Sequence, residues 1–159
     1  DYWFEFFFDN RIHLNVLYCI QNVMINPNCI FCKIIWWEIP GVKIRENDDF
    51  VAILDSFPNR RGMTLVLSKD HYGSDIFQLD DDFLAKYMKA TKEVVSILKK
   101  WLGVERVWMV IEWLEVNHAH IKLYPFYDWM WFQIGVWSWP QESLENLNKV
   151  AEEIKWKNN

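Results

Sequence analysis

The chain predicts an α+β domain in which an antiparallel sheet of about five strands carries one long helix and a C-terminal helix. Three observations predict it. Short runs rich in β-branched and aromatic residues are separated by turn residues. A single apolar stripe at helical spacing runs from Leu84 to Leu102 among those runs, and a shorter one closes the chain from Leu144 to Ile154.

The elements follow in order. Cys29 to Ile35 suits a short helical or turn segment, closed by Ile39-Pro40-Gly41. Val42 to Glu46 and Phe50 to Leu54 form a hairpin around Asn47-Asp48-Asp49, whose side chains favour a turn. Pro58 and Asn59 mark a loop over Asp55 to Gly62, and Met63 to Leu67 is a third strand. Asp80 caps the long helix, with Asp81 and Asp82 at the positive end of its dipole and Lys99 and Lys100 at the negative end. Gly103 stops it. Its buried stripe is expected at Leu84, Tyr87, Met88, Thr91, Val94, Val95, Leu98 and Leu102. Arg106 to Glu112 and His118 to Tyr124 are two further strands. Ser143 to Lys157 closes as an amphipathic helix with Leu144, Leu147, Val150, Ala151 and Ile154 inward.

Residues 1–28 differ from the rest, being rich in Phe, Ile, Asn and Tyr without helical or strand period. Glu5, Asp9, Asn10 and Arg11 interrupt any apolar run before the roughly 18 residues that cross a bilayer. No basic stretch precedes an apolar one, so no signal peptide is expected. A natural start at Met24 would make the preceding residues an appendage. The expectation is an extension over 1–28 outside the fold and one domain over 29–159.

A net charge of −5 argues against general affinity for nucleic acid or an anionic membrane, and leaves room for a local pocket for one small phosphate ligand. Three cysteines, two of them in Cys29-x-x-Cys32, do not make a secreted disulfide framework. A reducing, cytoplasmic setting is expected.

Chemistry concentrates on Asn117 to Pro125. In a strand, His118, His120, Lys122 and Tyr124 share one face, while Ala119, Ile121 and Leu123 point into a core. Cys29, Cys32, His71 and His118 suit a Cys₂His₂ zinc site, since thiolate and imidazole match a borderline-soft cation. The competing reading is a redox pair or two ordinary buried thiols. His120 is a nucleophile or general base, or else a second ligand or a surface histidine. Lys122 can pair with phosphate oxygens, although a lone strand lysine is usually solvated. Asp55 can accept from ribose hydroxyls or merely cap a turn. Phe31, Ile34 and Ile53 can wall a base pocket or serve as plain core.

Several motifs, in order, resemble the histidine triad (HIT) family. They are Cys29 to Ile35, Glu38-Ile39-Pro40, Phe50 to Pro58, Gly62 to Leu67, Lys69-Asp70-His71 and His118 to Pro125. The resemblance implies a HIT-like α+β fold, commonly homodimeric. It also implies hydrolysis or transfer at the α-phosphate of a nucleotide through a covalent nucleotidyl-histidine. By position, His120 matches the nucleophile, and His118 joins Cys29, Cys32 and His71 around structural zinc. Asp55 matches the ribose-binding acid, and Phe31, Ile34 and Ile53 fall where the base pocket is lined. The implied partner is a purine nucleotide, a nucleoside phosphoramidate or a dinucleoside polyphosphate. The alternative is a zinc-stabilised nucleotide-binding or interaction module without turnover.

The chain departs from the family pattern at identifiable positions. Lys122 replaces the third histidine of His-x-His-x-His, and Met63 stands where a further histidine follows Gly62. An ammonium is a weaker acid than an imidazolium, so Lys122 is the less able proton donor to a leaving group. The phosphate loop is shortened to Trp113 to Asn117 and lacks a Ser or Gln. Trp37, Trp108 and Trp113 stand where the family typically has Gly, in a chain with 11 Trp and 5 Gly, and Trp129 to Trp139 show the same pattern. That is the expected result of reading UGA codons as Trp in a gene that uses them for Gly; UGG codons there would end the idea.

Overall fold

The computed structural model of the chain describes residues 18–20, 23–112, 114–127 and 140–156. Strands β1 (Tyr18–Ile20) and β2 (Val23–Ile25) pair with each other. Helix α1 (Ile30–Ile35), strands β3 (Lys43–Glu46), β4 (Phe50–Leu54) and β5 (Thr64–Ser68), and a 3-10 turn (Ile76–Gln78) follow. Then come helix α2 (Asp81–Leu102), strands β6 (Arg106–Ile111) and β7 (His120–Phe126), and helix α3 (Leu144–Trp156). The main sheet has the order β3-β4-β5-β7-β6, with every neighbouring pair antiparallel. This is the expected α+β architecture, with the β1–β2 pair added.

Local chemistry explains the elements. Asn47 Oδ1 accepts from the N–H groups of Asp49 and Phe50, closing the β3–β4 turn. Asp80 Oδ1 accepts from Phe83 N–H at 2.9 Å and caps α2. Gly103 ends that helix in the left-handed region, φ 66, which costs a residue without Cβ nothing.

The sheet separates two cores. Phe50, Ala52 and Leu54 of β4, Val66 of β5, and Ile121 and Leu123 of β7 pack with Tyr87, Val94, Leu98 and Trp101 of α2 and with Leu147, Ala151 and Ile154 of α3. The opposite face carries Val51, Ile53, Leu65 and Leu67, which pack with Cys29, Phe31, Cys32, Ile34 and Ile35. The Tyr87 hydroxyl is fully buried and donates to the carbonyls of Val66 (2.7 Å) and Ala119 (2.9 Å), fastening α2 to the sheet beside the two central histidines.

Three expectations need adjustment. Met88 is exposed, while Ala90 and Trp101 are buried. Residues 87, 91, 94, 98 and 101 step by three or four and stay on the sheet side, whereas Met88 is rotated about 100° from Tyr87. Leu144 is exposed, being the first residue of α3 and off its packed stretch. Strand β7 starts at His120, not at His118. His118 N–H instead bonds to Val116 O and Ala119 N–H to Tyr72 O, outside the ladder. Residues just before Cys29 make contacts with the domain that follows. Met24 N–H donates to Asp70 Oδ1 at 2.8 Å, His71 N–H donates to Met24 O at 2.8 Å, and Ile25 packs on the second core.

Trp37 is the one non-glycine residue with positive φ (65) among the described residues. Helix α1 ends there: Trp37 N–H bonds to Ile34 O at 3.3 Å and Glu38 N–H to Lys33 O at 2.8 Å. This is the Schellman arrangement, whose left-handed residue is usually Gly. Trp108 differs, lying in β6 with its ring stacked on Phe126 at 5.1 Å. Trp113 and residues 128–139 lie outside the described residues. Replacing Trp37 by Gly relieves about 1–2 kcal/mol of left-handed strain. It forfeits roughly 0.5–1 kcal/mol from Lys43 Nζ, which sits 4.1 Å over the indole. Trp37→Gly should therefore raise Tm by roughly 2 °C, and a lower Tm in thermal melts would contradict this reading.

Candidate functional site

The site grows from the sheet face that α1 covers. Strand β7 sends Ile121 and Leu123 toward α2, as does Ala119 just before it, so His120, Lys122 and Tyr124 point the other way by the period-2 rule. His118 precedes the strand, yet its ring lies on the same side. Phe31 meets it edge-on at 5.8 Å and meets the His120 ring at 5.2 Å. Both histidines are buried, at 0% and 1% exposure, so every ring nitrogen needs a partner.

The partners divide the two histidines. His118 Nδ1 lies 3.4 Å from Cys29 Sγ, 3.6 Å from Cys32 Sγ and 3.3 Å from His71 Nδ1. Cys32 Sγ lies 3.4 Å from His71 Nδ1. The four ligand atoms all lie within 4.8 Å of one another. A tetrahedron with bonds of about 2.3 Å to sulfur and about 2.0 Å to nitrogen has edges of roughly 3.3–3.8 Å. These four separations match those edges, so the donor set fits a tetrahedral divalent ion. His118 Nε2 donates to Ser68 O at 2.9 Å, which leaves Nδ1 with its lone pair toward the cluster.

Thiol chemistry agrees. The Cys32 thiol beside it, and then His118, hold the Cys29 thiol well below its ordinary value against the opposing effect of burial. The same contact with Cys29, together with burial, pushes Cys32 up. Burial, followed by the neighbouring His118, lowers His71 and keeps it neutral, as a ligand must be.

His120 is turned away from that cluster. Its Nδ1 donates to the His118 carbonyl at 2.7 Å, and its Nε2 faces Glu112 Oε1 at 3.1 Å. Lys122 Nζ reaches the same Glu112 oxygen at 2.8 Å and Glu115 Oε2 at 3.3 Å. Glu112 Oε2 accepts from Leu114 N–H at 2.9 Å. Burial works against ionising Glu112, but Lys122, the Leu114 N–H and His120 hold its carboxyl down at about 2. Burial lowers Lys122, but Glu112 more than offsets it and the ammonium is held above its usual range.

Asp55 directly follows β4, buried, with Oδ1 accepting from Phe57 N–H at 2.8 Å. Burial raises its carboxyl pKa, opposed by the Phe57 N–H and by Lys122. Phe31, Ile34 and Ile53 share the second core with Cys29 and Cys32. The fold thus gathers Cys29, Cys32, His71 and His118 into one cluster, and places His120, Lys122 and Asp55 in one electrostatic neighbourhood beside it. Met63 is buried at the foot of β5.

Two residues went unread in the sequence: Glu112 and Glu115. Glu112 lies one step past β6, where the register pairs Ile111 with Ile121 and so carries Glu112 opposite His120. The two strands are joined by a short loop, and the register across it is not fixed by the residue pattern of either strand.

Residues 37–126 match the HIT domain. The chain belongs to the HIT family. An uncharacterised HIT-like protein of Methanocaldococcus jannaschii is 39% identical to it over 105 residues, 63% of this chain and 80% of that protein. The adenosine 5'-monophosphoramidase HNT1 of Saccharomyces cerevisiae is 33% identical over 129 residues, 79% of this chain and 80% of that protein. A crystal structure of a hypothetical histidine triad nucleotide-binding protein of Sulfolobus tokodaii superposes with a TM-score of 0.69 at 26% identity, covering 79% of this chain and 89% of that one. Within this HIT chain, the bonds of Lys122 to Glu112 and Glu115 show it as a paired rather than a solvated lysine.

Because Glu112 ionises near 2 in the folded protein against an ordinary 4.5, its pairing contributes fully above pH 4.5. That contribution is lost as pH falls from there toward 2. The stability gap between the unaltered protein and Glu112→Gln, read by urea unfolding, should therefore be smaller at about pH 3 than at about pH 7. A gap independent of pH would show that the Glu112 charge adds nothing.

Proposed function

We propose that this HIT-family chain is a nucleotide hydrolase or transferase that acts at the α-phosphate of a nucleoside phosphoramidate or dinucleoside polyphosphate through His120. The observation that carries the reading is the division of the two histidines. His118 turns its ring nitrogen to the thiols, while His120 is oriented by the His118 carbonyl at 2.7 Å with Nε2 directed at the Lys122 ammonium's partner. The relatives named as adenosine 5'-monophosphoramidases, in Saccharomyces cerevisiae, Candida albicans and Schizosaccharomyces pombe, support the substrate class.

In the first step the Nε2 lone pair of His120 forms a bond to the α-phosphorus in line with the leaving group. The bond from phosphorus to the leaving nitrogen or oxygen breaks, and the leaving atom takes its electron pair and the proton that Nε2 held toward Glu112. Lys122 is the cation placed to offset charge on the non-bridging oxygens. In the second step a water oxygen bonds to phosphorus, the bond to Nε2 breaks with its electron pair returning to the nitrogen, Nε2 takes up the water's proton, and the nucleoside monophosphate departs. Asp55 accepts from the ribose hydroxyls, and Phe31, Ile34 and Ile53 line the base pocket. A homodimer is part of the proposal.

Zinc held by Cys29, Cys32, His71 and His118 would act as a structural staple, neutralising the thiolates and tying α1 to β7. Its removal leaves the chemistry of His120 to a less firmly held strand.

The experiment is cleavage of adenosine 5'-phosphoramidate followed by liquid chromatography. His120→Ala should lower kcat by about a thousandfold or more, and the unaltered protein should yield a nucleotidyl adduct on the His120 peptide by mass spectrometry. Nucleotide binding without cleavage, the same in both proteins, would replace this reading by a binding module. Separately, the purified protein should hold one zinc per chain by elemental analysis. Cys32→Ala should lose it and melt roughly 10 °C lower. Full zinc content in that variant would remove Cys32 from the ligand set.

A further inference from the structure

Glu112 is the residue that the mechanism above leaves without a task. Its Oε1 sits 3.1 Å from His120 Nε2 and 2.8 Å from Lys122 Nζ, at 13% exposure. A phosphorus atom poised for in-line attack lies about 3–3.5 Å from the nucleophile along its lone-pair direction. The Nε2–H bond to Glu112 Oε1 already takes up that direction at that range. A carboxylate and a phosphoryl group are both anions with oxygens suited to an ammonium, and the two cannot share the place.

Charge decides what can displace it. Lys122 meets two carboxylates, Glu112 and Glu115, and Asp55 interacts with the same group. Once moved aside, Glu112 stays close, because its Oε2 is tied to the Leu114 N–H at 2.9 Å. An incoming phosphoryl group therefore gains one cation and meets at least two anions. Repulsion between unit charges a few ångströms apart in a half-buried site outweighs surface screening. Each further negative charge on the ligand is penalised.

We propose that Glu112 determines specificity: in the free protein it occupies the seat of the substrate's α-phosphate, and with Glu115 it selects phosphorus centres bearing one negative charge over those bearing two. This rests on the nucleotide reading above and narrows it. Phosphoramidates and phosphodiester-like centres carry a single charge at the reacting phosphorus. A nucleoside monophosphate, the product, carries two near neutral pH and is expelled.

The test is calorimetric titration of the full chain and of Glu112→Gln with adenosine, AMP and the methyl ester of AMP, which are neutral, doubly and singly charged. Wild type should bind the ester more tightly than AMP. Glu112→Gln should bind AMP about tenfold more tightly than wild type does, the ester a few-fold more tightly, and adenosine unchanged. Glu115→Gln, which touches Lys122 but not His120, should shift AMP in the same direction by less. It carries the test if thermal melting shows that Glu112→Gln does not fold. Unchanged or weakened AMP binding in these variants, with His120-dependent cleavage intact in wild type, overturns the seat and leaves the function standing. Binding of neither nucleotide by any of the three proteins overturns both.

Discussion

The site depends on His118 being held at every polar atom. Its ring faces two thiols and His71, its Nε2 donates to Ser68 O, its N–H bonds to Val116 O and its carbonyl accepts from His120. A fully buried imidazole left unsatisfied would carry the full cost of desolvation. Here each group has a partner, and the partners come from α1, β5, the loop after β5 and β7. One residue therefore transmits the placement of the cysteines to the ring that faces Glu112.

The sheet makes this possible by having two unlike faces. One is packed by α2 and α3 and is apolar from Phe50 to Leu123. The other is covered by the short α1 and carries all of the ionisable machinery. Tyr87 links the two, since its hydroxyl reaches through to the Ala119 carbonyl between His118 and His120. The long helix, remote from the chemistry, thereby fixes the backbone on which the chemistry hangs.

Much of this was legible in the sequence. Alternation of Ala119, Ile121 and Leu123 with His120 and Lys122 assigned the faces of β7 correctly, because a strand has no other way to direct side chains. Asp80 and Gly103 marked both ends of α2, because cap chemistry is local. The Cys29-x-x-Cys32 spacing and His71 pointed to the cluster that the fold assembles. Trp37 was marked as foreign to its turn, and the left-handed φ at that residue gives the reason.

What the sequence alone determined were features set within a few residues of one another: caps, turns, strand faces and the identity of the metal-type donors. What only the tertiary structure decided were the relations between one element and another. Glu112 and Lys122 meet because β6 and β7 pair in one register among several that the pattern allows. Met24 is taken up by the Asp70 carboxylate and the His71 N–H, across residues that share no sequence signal. Local chemistry acts at every position independently, whereas register and charge partnership are chosen once, by the packing of the whole chain.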